Sequence, residues 1–560
     1  MVISLTFFCF FLFPIFTSNN IIIPYGVTPF NICEKAPTTW HYIKTTYIIS
    51  YIFSSIIISN SIYSKFFKKL TSKKDTQKIV QPIEPNSLHL FVGKDAQTNQ
   101  NIYLPEKGLY QNILITGTIG SGKTSSAMYP FTKQLLNYEN IGMLILDVKG
   151  NFHKEVCKYA KELERLDDLI IIELKNNIKY NPLDKPNLSP LVLANRLKTI
   201  LTLFSSNNGE SFWLDKMEQI LCESIKLCRL YNNGYVTFLE LHKLITSEDY
   251  YKEKIAILKN IFQAGKLRQE DVYNLTTSLT FFEEEFTKLD SRTLSILKSE
   301  ITRITSPFIS DLNVLKTFCS SKSELTFQGF SDVITNSKIV VLNMNISEHK
   351  NLAKIIAAYL KLDFQGEVLS QLSKELVPKP TAFICDEFHE YVTSTDSDFF
   401  AQSRESSCIN IVATQSYTSL LNTLKDTYTS KVIVQNLINK FWFRTDDSAT
   451  IEDIQKQIGK EDKQKTSRSI SENANETKYS YFANSFKSKK SSVSESINTY
   501  VQSDFVYDSN FFTQNLEVFS SLAFLSDGNR IIKPTKLNMV PIFKIPLPET
   551  SNNKNNFKII

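Results

Sequence analysis

Three glycines lie within six positions of a chain that has only 15 glycines among its 560 residues. They belong to the run Gly117-Thr118-Ile119-Gly120-Ser121-Gly122-Lys123-Thr124, which has the form GxxxxGK[ST]. Glycines let successive backbone N–H groups turn inward around an anion, and a helix that follows adds its positive N-terminal end. An apolar segment, 113–116, precedes the run and a helical pattern, 123–138, follows it. The sequence therefore predicts a phosphate-binding loop between a strand and a helix.

Each part of this loop has an expected task. Lys123 is expected to reach the β- and γ-phosphates of a nucleotide, and the hydroxyl of Thr124 to bind Mg²⁺. Backbone N–H groups along the loop are expected to hold the other phosphate oxygens. The predicted phosphate-binding residues are Gly117, Thr118, Gly120, Ser121, Gly122, Lys123 and Thr124. Such a loop serves binding, kinase chemistry or hydrolysis, so a second motif has to decide between them.

A pair of carboxylates favours hydrolysis. The apolar segment 381–385 reads as a strand, and Asp386 and Glu387 follow it directly. Asp386, at the carboxyl end of the strand, is placed to hold the Mg²⁺ shell, and Glu387 to polarise a water for in-line attack on the γ-phosphate. A kinase has no need of that second carboxylate. The alternative is that both residues merely end the strand or begin a helix.

Gln415 and Arg404 are further catalytic candidates because of the predicted elements on which they lie. The segment 409–413 reads as the next strand, and Gln415 after it is placed to sense the γ-phosphate or the attacking water, since parallel strands end at one edge of a sheet. Arg404 lies on a predicted helix over 399–406 and is a candidate to neutralise transition-state charge, within its subunit or across an interface. An ordinary surface position is the alternative for both side chains.

Other polar residues receive less specific interpretations. Asp147 ends a predicted strand, 143–147, and either shapes the site or caps the next helix. His389 has no metal-ligand partner at a useful spacing and is expected on a helix surface. The three glutamates at 283–285 are expected to form a solvated helix face.

Composition gives no support for general DNA binding. The net charge is +6, but the stretch 65–78 alone holds six lysines and one aspartate, so the rest of the chain is nearly neutral. Phosphate neutralisation supplies much of protein–DNA affinity. The eight cysteines form no CxxC pair and no ligand-like spacing with histidine, which indicates neither a zinc site nor a disulfide framework. A hydrophobic content of 42% excludes a mainly disordered chain.

Two apolar stretches near the N-terminus predict membrane helices. The first, 2–23, carries no charge; its alternative is a secretory signal peptide, although it lacks a basic beginning and a small-residue cleavage site. The second, 45–63, is rich in isoleucine and is followed at once by five lysines between 65 and 74. By the positive-inside rule these lysines stay in the cytoplasm. The prediction is a two-helix hairpin with a short external loop and a cytoplasmic body.

The body alternates apolar strand and helix patterns, which predicts an α/β fold with a parallel sheet covered on both faces. Between 190 and 307 the strands give way to amphipathic helices, which predicts an all-α insertion. The predicted regions are a membrane anchor over 1–64, a basic cytoplasmic linker over 65–87, a nucleotide-binding domain in two parts over 88–189 and 311–545, the all-α insertion over 190–310, a mobile polar segment over 465–496, and a polar tail over 546–560.

A set of short motifs follows one order along the chain. They are the phosphate loop over 112–124, the segment 144–150, Tyr180-Asn181-Pro182-Leu183, Phe212-Trp213, Asp386-Glu387-Phe388, Ser403-Arg404-Glu405-Ser406, Ala413-Thr414-Gln415-Ser416, Asn436 and Phe441-Trp442-Phe443-Arg444. Together with the paired N-terminal helices, this order resembles the type IV secretion coupling proteins of the TraG/TraD group, relatives of the HerA/FtsK DNA-pumping ATPases. The resemblance runs to about Gly459. It departs from the family at His389-Glu390-Tyr391, where a glycine often stands.

The resemblance implies a RecA-like P-loop NTPase domain with an inserted all-α domain, preceded by two transmembrane helices. It implies an inner-membrane ATPase that uses ATP and Mg²⁺, forms a homo-hexamer and delivers a relaxase–DNA complex or protein substrates to a type IV secretion channel. The implied partners are the relaxase or relaxosome, conjugative DNA, channel components and membrane lipid. Arg404 resembles the family's trans-acting arginine, and Gln415 its polar sensor. The alternatives are an FtsK/HerA-like DNA pump, a protein-only secretion ATPase without DNA contact, and a nucleotide-gated membrane scaffold.

Overall fold

The computed structural model describes residues 87–544, except for 148–149, 175–176, 205–210, 266, 345, 375–376, 474–477, 481–484 and 488–491, together with six isolated positions between 38 and 49. Contacts divide the chain into two units, Met1–Val80 and Gln81–Ile560. Both predicted membrane helices fall in the first unit, outside the described residues apart from the isolated positions. Among the helices of the described part, none has the length and apolar character needed to span a membrane.

One 11-stranded sheet organises the second unit. Its strands are β1 (His89–Asp95), β2 (Asn101–Pro105), β3 (Ile113–Thr116), β4 (Gly142–Leu146), β5 (Leu169–Ile172), β6 (Ile339–Leu342), β7 (Thr381–Cys385), β8 (Cys408–Thr414), β9 (Asn439–Trp442), β14 (Ser520–Phe524) and β15 (Thr535–Asn538). Four further strands lie outside it: β10 (Lys460–Asn473), β11 (Lys478–Ser480), β12 (Ser485–Lys487) and β13 (Ser492–Phe505).

The strand order is β2-β1-β15-β14-β9-β3-β8-β7-β4-β6-β5. The seven strands from β9 to β5 are parallel, and the four strands from β14 to β2 extend the sheet in antiparallel pairing. This confirms the predicted α/β fold with a large parallel sheet. Chain segments from both ends of the unit, β1–β2 and β14–β15, complete this one sheet, which no local sequence pattern predicts.

The central strands are buried on both faces because their sequences are almost entirely apolar. On β3, Leu114 packs with the larger hydrophobic core, which includes the helical part of the molecule. Its neighbours Ile113 and Ile115 face the opposite core, where Phe131 and Leu135 pack. The alternation fixes which face each strand residue presents, and it leaves the strand ends free to carry polar side chains.

The helices are α1 (Glu106–Leu109), α2 (Tyr129–Leu136, after a π-helical turn over Thr124–Met128), α3 (Phe152–Glu162), α4 (Pro190–Thr202), α5 (Ser211–Tyr231), α6 (Phe238–Thr246), α7 (Glu248–Gln263), α8 (Gln269–Thr280), α9 (Ser291–Thr305), α10 (Leu312–Phe318), α11 (Phe330–Thr335), α12 (Ile346–Ser370), α13 (Asp396–Gln402), α14 (Tyr417–Leu424), α15 (Thr427–Asn436) and α16 (Ser448–Ile458). In the described residues, the chain between β5 and β6 is helical throughout its regular structure.

Where the structure describes it, the segment 465–496, predicted to be mobile, is part of a long antiparallel hairpin. β10 and β13 pair over 14 residues each, and β11 pairs with β12. The described side chains of β10 and β13 are mostly exposed on both faces, and even Ile497 and Val501 are exposed. A strand without a buried face shows no apolar alternation, so its sequence resembles that of a polar loop.

Candidate nucleotide-binding site

The phosphate loop opens onto a cavity of about 360 Å³ at the carboxyl edge of the parallel sheet. The loop follows β3, the Asp386–Glu387 pair follows β7, and Asp147 follows β4, so one sheet edge brings all of them to the cavity. The residues that line it are Thr118, Ile119, Gly120, Gly122, Lys123, Thr124, Ser125, Tyr129, Asp147, Asn151, Asp386 and Glu387.

Within the loop, three glycines with positive φ allow the chain to turn around the cavity. Gly122 has a φ of 95°, and a Cβ there would lie 2.6 Å from Cδ1 of Phe519. Gly120, with a φ of 78°, has open space around it. The ammonium of Lys123 donates to the carbonyl oxygens of Gly117 and Thr118, the latter at 3.4 Å. This lysine is therefore folded over the loop at the edge of the cavity.

Chain segments far from the loop in sequence hold its outer side. Thr118 donates its backbone N–H (2.9 Å) and its hydroxyl (3.1 Å) to the carbonyl of Arg444, just after β9. The backbone N–H of Phe519 donates to the carbonyl of Ser121 at 3.2 Å. Phe519 is not among the residues predicted from the sequence, since nothing local marks a residue that contacts the loop from about 400 positions away.

The carboxylates face the loop from the neighbouring strands. The hydroxyl of Thr124 donates to Oδ2 of Asp386 at 3.3 Å, which puts the two predicted Mg²⁺ ligands next to each other. Glu387 has a left-handed backbone (φ 49°, ψ 48°), and its N–H donates to Oδ1 of Asp386 at 3.0 Å. A non-glycine residue in this conformation is held there by its surroundings. The turn aims both carboxylates at the cavity instead of letting the strand continue.

Asp147 caps a helix and also lines the cavity. Its Oδ2 accepts from the backbone N–H groups of Asn151 (2.8 Å) and Phe152 (2.9 Å), at the start of α3. This agrees with the capping alternative. Tyr129 also lines the cavity, near two carboxylates, and no motif in the sequence marks it. Burial, together with the charges of Asp147 and Asp386, raises the pKa of Tyr129 to about 12, so it stays neutral.

The prediction that His389 lies on an exposed helix surface is wrong in its exposure: the residue lies in a one-turn 3₁₀ helix, Phe388–Glu390, where its side chain is mostly buried. Its Nδ1 lies 3.2 Å from the hydroxyl of Thr414 and 3.8 Å from Oε2 of Glu387. Burial lowers the pKa of His389, while the carboxylates of Glu387 and Glu390 oppose that shift. The imidazole therefore bridges the end of β8 and the catalytic candidate Glu387. No spacing in the sequence signals this, because Thr414 belongs to a different strand.

Gln415 follows β8 directly, and β8 lies between the loop strand β3 and the carboxylate strand β7. Thr414 pairs with Thr116, so Gln415 emerges beside the start of the phosphate loop. Its half-buried side chain is not among the residues that line the cavity. The structure thus brings Gln415 to the correct sheet edge.

Arg404 is exposed and lies in a turn after α13, not on a helix as predicted. The turn leads into the amino end of β8, at the edge of the sheet opposite to the phosphate loop. A strand of this length spans about 20 Å, which is beyond the reach of an arginine side chain. A role for Arg404 at the cavity of its own subunit does not fit this position.

A buried polar network fixes the turn that carries Arg404. Oδ1 of Asn112, which precedes β3, accepts from the amide of Asn410 at 2.7 Å and from the hydroxyl of Ser403 at 3.2 Å. The amide of Asn112 donates to the carbonyls of Phe400 (2.9 Å) and Asn436 (3.0 Å). Since buried polar groups are costly unless they are paired, this network holds the turn in one arrangement.

The side chains at the cavity fit a nucleotide with a divalent cation. Asp147, Asp386 and Glu387 bring three carboxylates to a site with one ammonium, that of Lys123. A polyphosphate alone would meet too much negative charge there, whereas Mg²⁺ prefers oxygen ligands such as the adjacent Thr124 hydroxyl and Asp386 carboxylate. The glycine-lined loop leaves room for phosphate oxygens close to the backbone.

The parallel sheet, the glycine loop between β3 and a helix, and the carboxylates at the end of β7 define a P-loop NTPase fold. Residues 98–501 match the family described as type IV secretion-system coupling protein DNA-binding domain. The chain belongs to this family of type IV coupling proteins.

Individual relatives are distant. The type 4 coupling protein DotL of Legionella pneumophila is 22% identical over 361 residues, which cover 56% of this chain and 45% of DotL. The chain thus spans less than half the length of that relative. The bacterial conjugative coupling protein TrwBdeltaN70 has a TM-score of 0.55 at 12% identity, covering 82% of this chain and 91% of that one. Plasmid coupling protein TrwB in complex with ADP and Mg²⁺ has a TM-score of 0.51 at 13% identity, covering 78% and 87%.

Proposed function

We propose that this chain is a membrane-anchored coupling ATPase that recruits DNA–protein or protein substrates to a type IV secretion channel and drives their transfer by ATP hydrolysis. The observation that carries the proposal is the cavity in which Lys123, Thr124, Asp386 and Glu387 converge. Membership of the coupling protein family supports the substrate class, and the description of the matching region as a DNA-binding domain supports contact with DNA. TrwB with ADP and Mg²⁺ bound supports a nucleotide with Mg²⁺ at this site.

In this mechanism the loop binds ATP and Lys123 exchanges its loop carbonyls for phosphate oxygens. For this exchange the ammonium of Lys123 leaves the carbonyl oxygens of Gly117 and Thr118. Thr124 and Asp386 would hold Mg²⁺, which neutralises charge on the β- and γ-phosphates when it is bound. The neutral phenol of Tyr129 adds no further charge to a site that already has three carboxylates.

Glu387 takes the proton of the attacking water in the proposed reaction. Its left-handed backbone fixes the direction of the carboxylate, and His389 contacts Oε2 from the side of β8. His389 therefore positions Glu387 and connects it to Thr414, one residue before Gln415. Gln415 serves as the polar sensor of the γ-phosphate or the water, at the end of the strand between the loop and the carboxylates.

The remaining parts of the proposal concern assembly and location. Arg404, exposed at the far edge of the sheet, acts on the nucleotide of a neighbouring subunit in a homo-hexamer. The segment 1–64 forms two transmembrane helices in the inner membrane, and the lysines after it keep the nucleotide-binding unit in the cytoplasm. The relaxase or relaxosome, conjugative DNA and channel components are the proposed partners.

The test is ATP hydrolysis by the full-length protein and two variants. Lys123→Ala removes the phosphate-binding ammonium, and Glu387→Gln removes the general base. We expect turnover to fall about 100-fold or more in each, because Glu387→Gln loses a general base and Lys123→Ala loses a cation that stabilises charge on the phosphates in the transition state. Glu387→Gln keeps its affinity for a fluorescent ATP analogue because every phosphate contact remains, and Glu139→Gln, at an exposed position, behaves as wild type. Undiminished turnover in either site variant would contradict the assignment.

DNA separates the leading proposal from the protein-only alternative. Turnover is measured with single-stranded and with double-stranded DNA at two stated salt concentrations, because DNA affinity falls steeply with salt. Stimulation that weakens at the higher salt supports a DNA motor. Turnover that neither DNA changes supports a protein-only secretion ATPase.

A further inference from the structure

A second cavity, of about 610 Å³, lies apart from the nucleotide site and shares no lining residue with it. Residues of β9, β14, α14, α15 and α16 line it, and most of its surface is apolar. The residues that shape its interior include Tyr417, Leu421, Val434, Ile438, Lys440 and Phe524. Both its volume and its apolar surface are typical of sites for small molecules.

Lys440 is the unusual member of this lining. It lies on β9, where Phe441 points into the core on one side of the sheet and Lys440 lines the cavity on the other. Only 2% of the surface of Lys440 is accessible to solvent. Its ammonium lies 5.9 Å from the centre of the Phe524 ring, and it forms no hydrogen bond or ion pair with the residues that the structure describes. Burial alone lowers the pKa of Lys440 to about 8.

A buried ammonium without an acceptor is costly, and an anion beside it would remove that cost. Among the residues that line the cavity, Lys440 is the one buried cation. Asp453 also lines the cavity, and its carboxylate disfavours a ligand with a second negative charge. Lys431 lies on the same lining but is exposed to solvent, so an anion gains much less from it.

We propose that this cavity binds a small amphipathic monoanion, with an apolar body against Val434, Ile438 and Phe524 and one carboxylate on the ammonium of Lys440. The site is independent of the proposed ATPase function. Nucleotides, polyphosphates and dicarboxylates do not fit it, because their additional charge would face Asp453 and an apolar wall.

The test uses octanoate as the probe and 1-octanol as its uncharged counterpart, titrated calorimetrically into the full-length protein. We expect Lys440→Met to weaken octanoate binding about tenfold or more, as expected for loss of a charge-assisted hydrogen bond, and to leave 1-octanol binding unchanged. Lys431→Met, the matched control at the exposed position, is expected to change octanoate affinity by less than about twofold.

A second measurement identifies the site without a variant. An amine-reactive reagent labels the lysines of the wild-type protein, and peptide mass spectrometry follows Lys440 and Lys431 separately. We expect octanoate to slow the labelling of Lys440 and to leave that of Lys431 unchanged. No binding of octanoate to the wild type, equal octanoate affinity in Lys440→Met, or labelling of Lys440 that octanoate does not slow would each overturn the proposal.

Discussion

At the scale of single residues, the phosphate loop depends on Gly122, whose α-carbon faces the ring of Phe519. We predict that Gly122→Ala lowers nucleotide affinity about tenfold more than Gly120→Ala does. Both positions have positive φ, so alanine is strained at each, but only at position 122 does the new Cβ meet a ring at 2.6 Å. Overpacking of this kind costs about 1–3 kcal/mol. Binding of a fluorescent ATP analogue to the two variants measures the difference.

The ring itself provides the control for this prediction. In Gly122→Ala with Phe519→Ala, the contact with the ring is gone, and the strain of the backbone and a 3.2 Å contact with the backbone nitrogen of residue 519 remain. The double variant should therefore recover most of the nucleotide affinity that Gly122→Ala loses relative to Gly120→Ala. If it binds no better than Gly122→Ala, the contact with Phe519 is not the cause.

Lys440 predicts an unusual pH dependence of stability. Burial lowers its pKa from 10.5 to about 8, so the folded protein binds this proton less tightly than the unfolded chain does. The buried charge then destabilises the fold fully below about pH 8, and the cost decreases as the pH rises towards 10.5. We expect Lys440→Met to raise the free energy of unfolding by about 3 kcal/mol near pH 7, and by less than half of that near pH 9.5.

Denaturant unfolding at the two pH values, with Lys431→Met beside it, checks this expectation. The exposed control should change stability by no more than about 0.5 kcal/mol. A gain in Lys440→Met that is the same at both pH values would mean that packing, and not charge, is responsible.

Residue-scale prediction from the sequence succeeds where the signal is local. The segment 117–124 and the Asp386–Glu387 pair each consist of consecutive residues, so each motif can be recognised in the sequence. The structure places both around one cavity. His389 and Phe519 make their contacts across strands or across hundreds of residues. Such contacts depend on the sheet order, which a single sequence does not encode locally.

At the scale of elements, α12 connects the nucleotide site to the helical insertion. Its Lys354 pairs with Glu390 next to His389, and its Lys361 donates to Oδ2 of Asp396 and to the carbonyl of Tyr391 at 2.7 Å. Two residues further on, Asp363 pairs with Lys185 (2.7 Å) and Arg196 (2.8 Å), and Tyr180 donates to it at 2.9 Å. One helix thus holds both the segment after Glu387 and the entry to α4.

The ion pair between Lys361 of α12 and Asp396 is fully buried, so its contribution to the free energy of unfolding can be measured. We predict that Lys361→Met lowers the free energy of unfolding by about 3–5 kcal/mol, because it leaves the carboxylate of Asp396 buried without its cation. Adding Asp396→Asn to that variant removes the uncompensated charge and should recover part of the loss. Thermal unfolding of the two variants provides the comparison. Equal losses in both would show that the charge is not the cause.

Secondary-structure elements are predictable from the sequence where their apolar residues form a clear pattern. The apolar runs 113–116, 143–147, 381–385 and 409–413 predict β3, β4, β7 and β8 to within one residue at each end. The hairpin of β10 and β13 has no buried face, so its pattern carries no period. Arg404 was expected on a helix because the helical pattern of 399–406 has no breaker, yet the buried network around Asn112 and Ser403 ends that helix at Gln402.

At the scale of the whole molecule, the carboxyl and amino ends of the parallel strands form two opposite edges of the sheet, and each edge carries different functional candidates. The carboxyl edge carries the nucleotide cavity, and the amino edge of β8 presents Arg404 to solvent on a turn that the Asn112 network fixes. A rigid, exposed arginine that does not reach its own site is suited to a neighbouring subunit. The proposed homo-hexamer with Arg404 acting in trans requires a head-to-tail ring in which the amino edge of one copy meets the cavity of the next.

Mixed subunits test this arrangement. Lys123→Ala destroys the nucleotide side of an interface, and Arg404→Ala destroys the donor side, so each protein alone should be inactive. When the two are mixed in equal amounts before assembly, about a quarter of the interfaces combine an intact Lys123 with an intact Arg404. We expect ATP hydrolysis to reappear in the mixture at a corresponding fraction of the wild-type rate.

Mixing Lys123→Ala with Glu387→Gln is the matched control: both changes lie on the nucleotide side, so every interface stays defective. Restoration in the first mixture but not in the second requires that Arg404 acts across the interface, and inactivity of both mixtures would rule that role out.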